Sequence, residues 1–337
     1  MKKKYFSRTK IVATIGPASG SRKVLSQMID AGLDIARFNF SHAQYDITKK
    51  WLEDIRALAK KKKRKVEILQ DLQGPRIRTG ADVPKRGIAL KKGSKINIGF
   101  GKYKKGFLPI DYKNLVNDID IGTFIFLSDG VIELEVIEKE KNKALVKVLV
   151  GGVVYARKGV NIPNAHLKIS PITEKDKEDI KWGLKNKVDY IALSFVKGPE
   201  DIVYLRSLVK NKKIKLIAKI ERPQALKNLR RILKVSDGVM VARGDLGIEI
   251  RLEKVPAAQR KIVHMVHKKR KIVIIATQMM ESMLNNPHPT RAEVSDIDTA
   301  VLEKASGVML SEETAMGKYP VEAIKIMEKI CQQAEKE

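Results

Sequence analysis

Two kinds of apolar pattern alternate along the chain. Short, nearly continuous apolar runs recur at "KIVATI" (10–15), "DIARFN" (34–39), "VEILQD" (66–71), "VDYIALS" (188–194), "KLIAKI" (215–220), "GVMVA" (238–242), "IVIIAT" (272–277) and "GVMLS" (307–311). Between most of them apolar residues fall at i, i+3, i+4 spacing, as in residues 23–31, 256–270 and 320–334, which predicts amphipathic helices. Runs of this kind are what strands become when helices cover a parallel sheet. Eight strand–helix units predict an α/β chain folded as a closed (β/α)8 TIM barrel rather than an open sheet.

One stretch breaks the rhythm. From Thr79 to Ile162 strand-like runs alternate with glycine turns, as in "KGSKINIGFG" and "GTFIFLSDGVIELEVIEKEKNKALVKVLVGG". This predicts a small all-β domain, a β-barrel, inserted after the third strand. Without its roughly 84 residues about 253 remain, the usual size of a (β/α)8 barrel. The expected domains are therefore 1–78 and 163–337, the two parts of the large barrel, and 79–162, the insertion.

Composition narrows the class further. An apolar fraction of 43% with only 5% aromatic residues describes an aliphatic core. The single cysteine, Cys331, excludes an intramolecular disulfide and fits a reducing cytosol. No apolar window is long enough for a membrane span, and the basic start "MKKKYFSRTKIVATIGPAS" lacks a signal-like apolar run. A cytoplasmic protein with no membrane partner is expected. The net charge of +28 includes runs such as "KKKKRK" at 60–65. Attraction to polyanions or anionic metabolites is one reading, and solvated helix faces rich in Lys are the other. No aromatic-interleaved basic motif accompanies the runs, so nucleic acid is not an expected partner.

Functional groups of a (β/α)8 barrel gather at the C-terminal ends of its strands. Here those ends are unusually polar: Arg37, Asn39 and Ser41 after strand two, Asp71 after three, Lys219 and Glu221 at five, Asp245 after six, Thr277 and Gln278 after seven, and Ser311 and Glu313 after eight. Residues i and i+2 of a strand face the same way, so Lys219 and Glu221 point into one place. Glu221 and Asp245 on neighbouring strands suit Mg2+, which takes one or two carboxylates plus substrate oxygens and water. Backbone amides in "RGDLG" (243–247) suit a carboxylate or phosphate. Lys219 supplies a fixed charge for a phosphoryl group or an enolate oxygen, and Arg37 and Arg78 add cations for phosphates. His166, His264, His267 and His288 read as surface or packing residues. The residues alone thus describe a Mg2+-assisted site for a small phosphorylated or oxo-acid anion.

Taken together, "TKIVATIGPAS", "ARFNFSH", "DLQGPRIRTG", "KGVNIP", "AKIERPQAL", "VMVARGDLGIEI", "ATQMMESM", "PTRAEVSD" and "MLSEETAMGKYPVEA" resemble the pyruvate kinases, in order from Thr9 onward. The resemblance implies phosphoryl transfer from phosphoenolpyruvate to ADP, followed by protonation of enolpyruvate, the last step of glycolysis. It implies that Glu221 and Asp245 bind Mg2+, or Mn2+ in its place. Lys219 would stabilise the phosphoryl group in flight and Arg37 would grip it. The amides of Gly244 and Asp245, with the Thr277 hydroxyl, would hold the substrate carboxylate. Asn39, Ser41, Asp71 and the Leu72 carbonyl match the family's monovalent-cation site, while Asn39, His42 and Arg78 fall where the family contacts ADP. The insertion would act as a lid that excludes water.

Three departures from the family pattern modify these expectations. Arg76 stands where many members have Glu, and its guanidinium replaces the charge that K+ otherwise supplies, so K+ independence is expected. The chain stops at Glu337, without the family's C-terminal regulatory domain, so no sugar-phosphate activation is expected and a homo-oligomer is left open. Glu312 takes a position usually held by a small residue, and the proton donor stays open among Thr277, Ser311 and water. Two other readings remain at this point: a Mg2+-dependent lyase acting through a pyruvate enolate, and an inactive barrel that binds RNA or other polyanions.

Overall fold

Eight parallel strands close into a barrel: Lys10–Thr14 (β1), Leu33–Asn39 (β2), Glu67–Asp71 (β3), Tyr190–Leu193 (β4), Lys215–Ile220 (β5), Gly238–Ala242 (β6), Ile272–Ala276 (β7) and Gly307–Leu310 (β8). The structure is a computed structural model that describes residues 6–163, 165 and 167–337. His166 lies outside the described residues. Closure is made by β1 against β8, where Lys10 stands opposite Gly307 and Ala13 opposite Leu310.

Each apolar run is buried on both faces for an identifiable reason. Alternate side chains such as Val12, Ile35, Leu69, Ile217, Met240 and Met309 fill the barrel interior. Their neighbours, among them Ile11, Ala36, Ile68, Leu216, Val239 and Val308, face the surrounding helices. These helices are Arg22–Ala31 (α1), Tyr45–Lys61 (α2), Glu174–Lys185 (α3), Pro199–Val209 (α4), Pro223–Val235 (α5), Val255–Lys268 (α6), Arg291–Leu302 (α7) and Pro320–Ala334 (α8). Their starts are chemically marked: Ser21 caps α1, and Thr173 with Asp176 and Thr290 with Glu293 form capping boxes on α3 and α7. Proline opens α4, α5 and α8, where its missing N–H costs nothing.

Residues 7–9 are held by carboxylates of α8 and of the residue that follows it. Glu328 accepts from the Ser7 amide at 2.7 Å and hydroxyl at 2.9 Å, and Glu335 accepts from the Arg8 and Thr9 amides at 2.8 and 2.6 Å.

Between β3 and α3 the described residues form eight further strands around a separate core that includes Ile98, Leu108, Ile125, Leu134 and Val146. Six of them make one open sheet and the other two, Ile88–Leu90 and Gly152–Val154, pair separately. The sequence leads to the expectation of a β-barrel here, and the described strands fall into these two sheets. Alternating burial and glycine turns are common to both arrangements, so the pattern does not distinguish them. Among the described residues no helix is long and apolar enough to cross a membrane.

Candidate active site

Lys219, near the end of β5, is held by three oxygens. Its ammonium lies 3.0 Å from Glu221 Oε1 and 3.3 Å from Asp71 Oδ1, and it donates to Ser194 Oγ at 2.8 Å. Asp71 is shared with Arg37 of β2, whose Nε and Nη2 reach its Oδ2 at 2.8 and 2.7 Å. Arg37 Nη1 is itself fixed on Thr14 Oγ1 at 2.8 Å. Three strands, β2, β3 and β5, thereby place two cations and two carboxylates at one end of the barrel.

The electrostatics are finely opposed. Burial alone would raise the Asp71 carboxyl, but Lys219 and Arg37 outweigh it and hold the group below the usual carboxylate range. Burial would likewise lower the Lys219 ammonium, yet Asp71 and Glu221 keep it above its ordinary value. Glu221 goes the other way. Burial pushes its carboxyl up, Lys219 opposes the shift, and the charge of Asp245 adds to it.

That imbalance bears on a metal. Glu221 is fully buried, and its Oε2 accepts from the Phe195 amide at 2.5 Å. Its Oε1 has no hydrogen bond: Lys219 is near, but not aligned to donate. A buried carboxylate oxygen without a donor, beside a second carboxylate that raises its proton affinity, fits a divalent cation. Among the described residues no group of three or more His, Cys, Asp or Glu is arranged to hold one. Glu221 and Asp245 would be the protein's whole share, which is a usual complement for Mg2+.

Asp245 belongs to a short helix, Arg243–Ile250, that starts directly after β6. With Gly244, Thr277 and Ser311 it lines a cavity of about 630 Å3, whose far wall is Phe126, Asp129 and Gly130 of the insertion. The Gly244 amide, expected to be available for a carboxylate, donates to Thr277 Oγ1 at 2.7 Å. A ligand carboxylate there has to displace the hydroxyl, so Gly244 and Thr277 act as one unit rather than as two free donors. Thr277 and Gln278 have left-handed backbone, with φ of 71° and 53°. For β-branched Thr277 this is a strained conformation, costing about 1–3 kcal/mol. Glu312 is exposed at the cavity rim. Glu313, by contrast, is buried and accepts from the Ser311 and Met280 amides at 2.7 and 3.2 Å, tying the loops after β7 and β8 together.

The remaining expected residues are distributed as follows. Asn39 Oδ1 accepts from the Ser41 amide at 3.1 Å, and the Leu72 carbonyl accepts from Ser194 Oγ at 2.7 Å. His42 is exposed, and Arg78 is half-buried with Nη1 on the Arg157 carbonyl at 3.1 Å. Arg76 pairs with Asp129 on the cavity wall, and among the described residues no ion pair links it to Asp71. Two contributors escape sequence reading. Ser194 joins Lys219 to the Leu72 carbonyl, and its only signal is its place at the end of the fourth apolar run. Arg243 grips the Thr277 carbonyl at 2.8 Å from within a motif valued for its amides.

At the root of the insertion, Asn161 donates to Glu249 Oε1 at 3.2 Å. Burial drives the Glu249 carboxyl above its ordinary 4.5; Arg222 and the Asn161 amide oppose this, and Asp245 and Glu221 reinforce it. A carboxyl raised by folding contributes stability that is full below pH 4.5 and lost as pH rises through the raised value. Glu249→Gln is expected to flatten the decline of stability above pH 4.5. Urea midpoints at pH 5 and pH 8 check it, and an unchanged difference between the two would refute it.

Comparison with known proteins identifies the family. The family model described as pyruvate kinase, barrel domain, matches residues 6–324. The pyruvate kinase of Thermotoga maritima is 43% identical over 332 residues, covering 97% of this chain and 71% of its own length. Those of Staphylococcus epidermidis and Staphylococcus aureus are 42% identical over 334 residues, covering 97% of this chain but 57% of theirs. The chain thus spans little more than half the length of the staphylococcal relatives. By these matches the chain belongs to the pyruvate kinase family.

Proposed function

We propose that this chain transfers the phosphoryl group of phosphoenolpyruvate to ADP and releases pyruvate. The observation that carries the reading is the Lys219 ammonium, kept charged between Asp71 and Glu221 and within electrostatic reach of Asp245, which lines the cavity from the first turn of a helix. A phosphoryl group in flight spreads negative charge over its equatorial oxygens, so a fixed cation that needs no reorganisation lowers the barrier. Lys219 and Arg37 are the two such cations. Thr277 and the amides of Gly244 and Asp245 hold the substrate carboxylate, which orients the transfer. Mg2+, held by Glu221 and Asp245, would neutralise phosphoryl and substrate oxygens. Asn39, His42 and Arg78 contact ADP, and the insertion wall around Phe126 and Asp129 excludes water that would compete with it. The cytoplasm is the expected compartment.

The test is pyruvate formation from phosphoenolpyruvate and ADP by the purified chain. A rate that requires Mg2+ supports the reading, whereas a folded, inactive chain overturns it.

K+ is expected to be dispensable. Two cations already balance the charge of Asp71, although its Oδ1 accepts no hydrogen bond, and the Leu72 carbonyl is met by Ser194, which leaves little charge for a monovalent ion to neutralise. Replacing K+ with tetramethylammonium at constant ionic strength should change the rate by less than about twofold, well under one tenfold step of 1.36 kcal/mol. A many-fold loss would refute the expectation.

A further inference from the structure

Arg243 lies outside the groups assigned above, yet most of its donors converge on them. Its Nη2 donates to the Thr277 carbonyl at 2.8 Å and the Gln278 carbonyl at 3.3 Å, and sits 2.8 Å from Met279 Sδ. Nε also faces the Thr277 carbonyl, at 3.3 Å. The opposite edge of the guanidinium is anchored, because Nη1 pairs with Asp296 of α7 at 2.7 Å. Gln259 of α6 lies 3.5 Å from the same nitrogen and is itself held by Glu303 at 3.0 Å. The side chain is only 11% exposed, so water does not replace these contacts.

The carbonyls it serves belong to the two left-handed residues, Thr277 and Gln278. Consecutive left-handed residues bring both carbonyls to one nitrogen, where an unpartnered pair would repel. The same chain segment takes hold of Thr277 twice. Arg243 holds its carbonyl, and the next amide, of Gly244, holds its hydroxyl at 2.7 Å.

We infer that Arg243 is a positioning residue: by capping the Thr277 and Gln278 carbonyls it maintains the turn that holds the Thr277 hydroxyl between the Gly244 amide and the Ala276 carbonyl at the cavity wall, with Asp296 fixing Arg243 in turn. The inference rests on the reading of Thr277 as a group for the substrate carboxylate. Lysine keeps the charge, but its compact ammonium cannot reach both carbonyls and Asp296 together, as the planar fork of arginine does.

The test is a cycle of wild type, Arg243→Lys, Thr277→Ala and the double variant, each assayed for kcat/KM with phosphoenolpyruvate and for thermal melting. Arg243→Lys is expected to lower kcat/KM roughly 100-fold, the scale of a small misplacement of a reacting group. In the Thr277→Ala background the same change should cost less than about threefold, because the group it acts through is gone. Equal losses in both backgrounds would overturn the inference while leaving the Thr277 assignment intact. An undiminished kcat/KM for Thr277→Ala alone would instead remove that assignment, and the inference with it. Should Arg243→Lys fail to fold, Asp296→Asn replaces it, with a loss of about tenfold in the wild-type background and none beside Thr277→Ala; equal losses would overturn the inference.

Discussion

Lys219→Met is expected to lower pyruvate formation by about a thousandfold or more, the scale on which losing one preorganised group at a developing charge is felt. It should also change the fold's response to pH. Lys219 is the ion-pair partner of Glu221, and it shares Asp71 with Arg37. Its removal leaves Glu221 buried beside Asp245 without a cation, and breaking a buried pair costs about 3–5 kcal/mol. Part of that cost is avoided when Glu221 takes a proton. The freed carboxyl has a folded value raised further above its ordinary one, so the variant is most stable in acid and loses stability as pH rises through that value. Steady-state rates and urea unfolding at pH 5 and pH 8 check both parts. An active variant would sink the assignment of Lys219, and a pH-independent loss of stability would sink the account of Glu221.

Glu221→Gln should raise the Mg2+ concentration at half-maximal rate by at least about 100-fold, since even groups that only orient a ligand commonly account for 10–100-fold in affinity. Gln keeps the shape and removes the charge. Glu249→Gln is the useful comparison, because it neutralises another buried carboxylate that interacts electrostatically with both Glu221 and Asp245. A Mg2+ titration that moves for Glu221→Gln and stays for Glu249→Gln assigns the metal to Glu221 itself. Equal shifts would mean that the general negative field of the site, and no particular ligand, sets the affinity.

The sequence shows the large barrel plainly because burial on both faces leaves a trace in every strand. Val12 and Ile11 are adjacent, point opposite ways, and are both fully buried. The polar strand ends were equally legible, since charged residues rarely close an apolar run without a reason. What stayed hidden depends on contacts between distant segments. Nothing in "VDYIALS" says that Ser194 will stand between Lys219 and the Leu72 carbonyl. Thr277 is harder still, because a β-branched residue argues against the left-handed backbone it adopts, and the guanidinium that stabilises that turn comes from a different strand end. Arg76 illustrates the limit of reading charge without geometry: its cation was legible, but its pairing with Asp129 of the insertion was not.

The pairing of β1 with β8 has a consequence for how the chain is made. A ribosome delivers Lys10–Thr14 long before Gly307–Leu310, so a nascent chain carries strands with no closing partner until the eighth strand is made. The insertion, with its own core drawn from one contiguous stretch, can condense early. The barrel cannot. Until β8 emerges, β1 and β7 each present an open row of amides and carbonyls, the kind of edge that recruits other chains and that chaperones shield. The eighth strand removes both edges in a single step, and Glu328 and Glu335 of the segment behind it then fasten Ser7 and Thr9, just ahead of β1, in place.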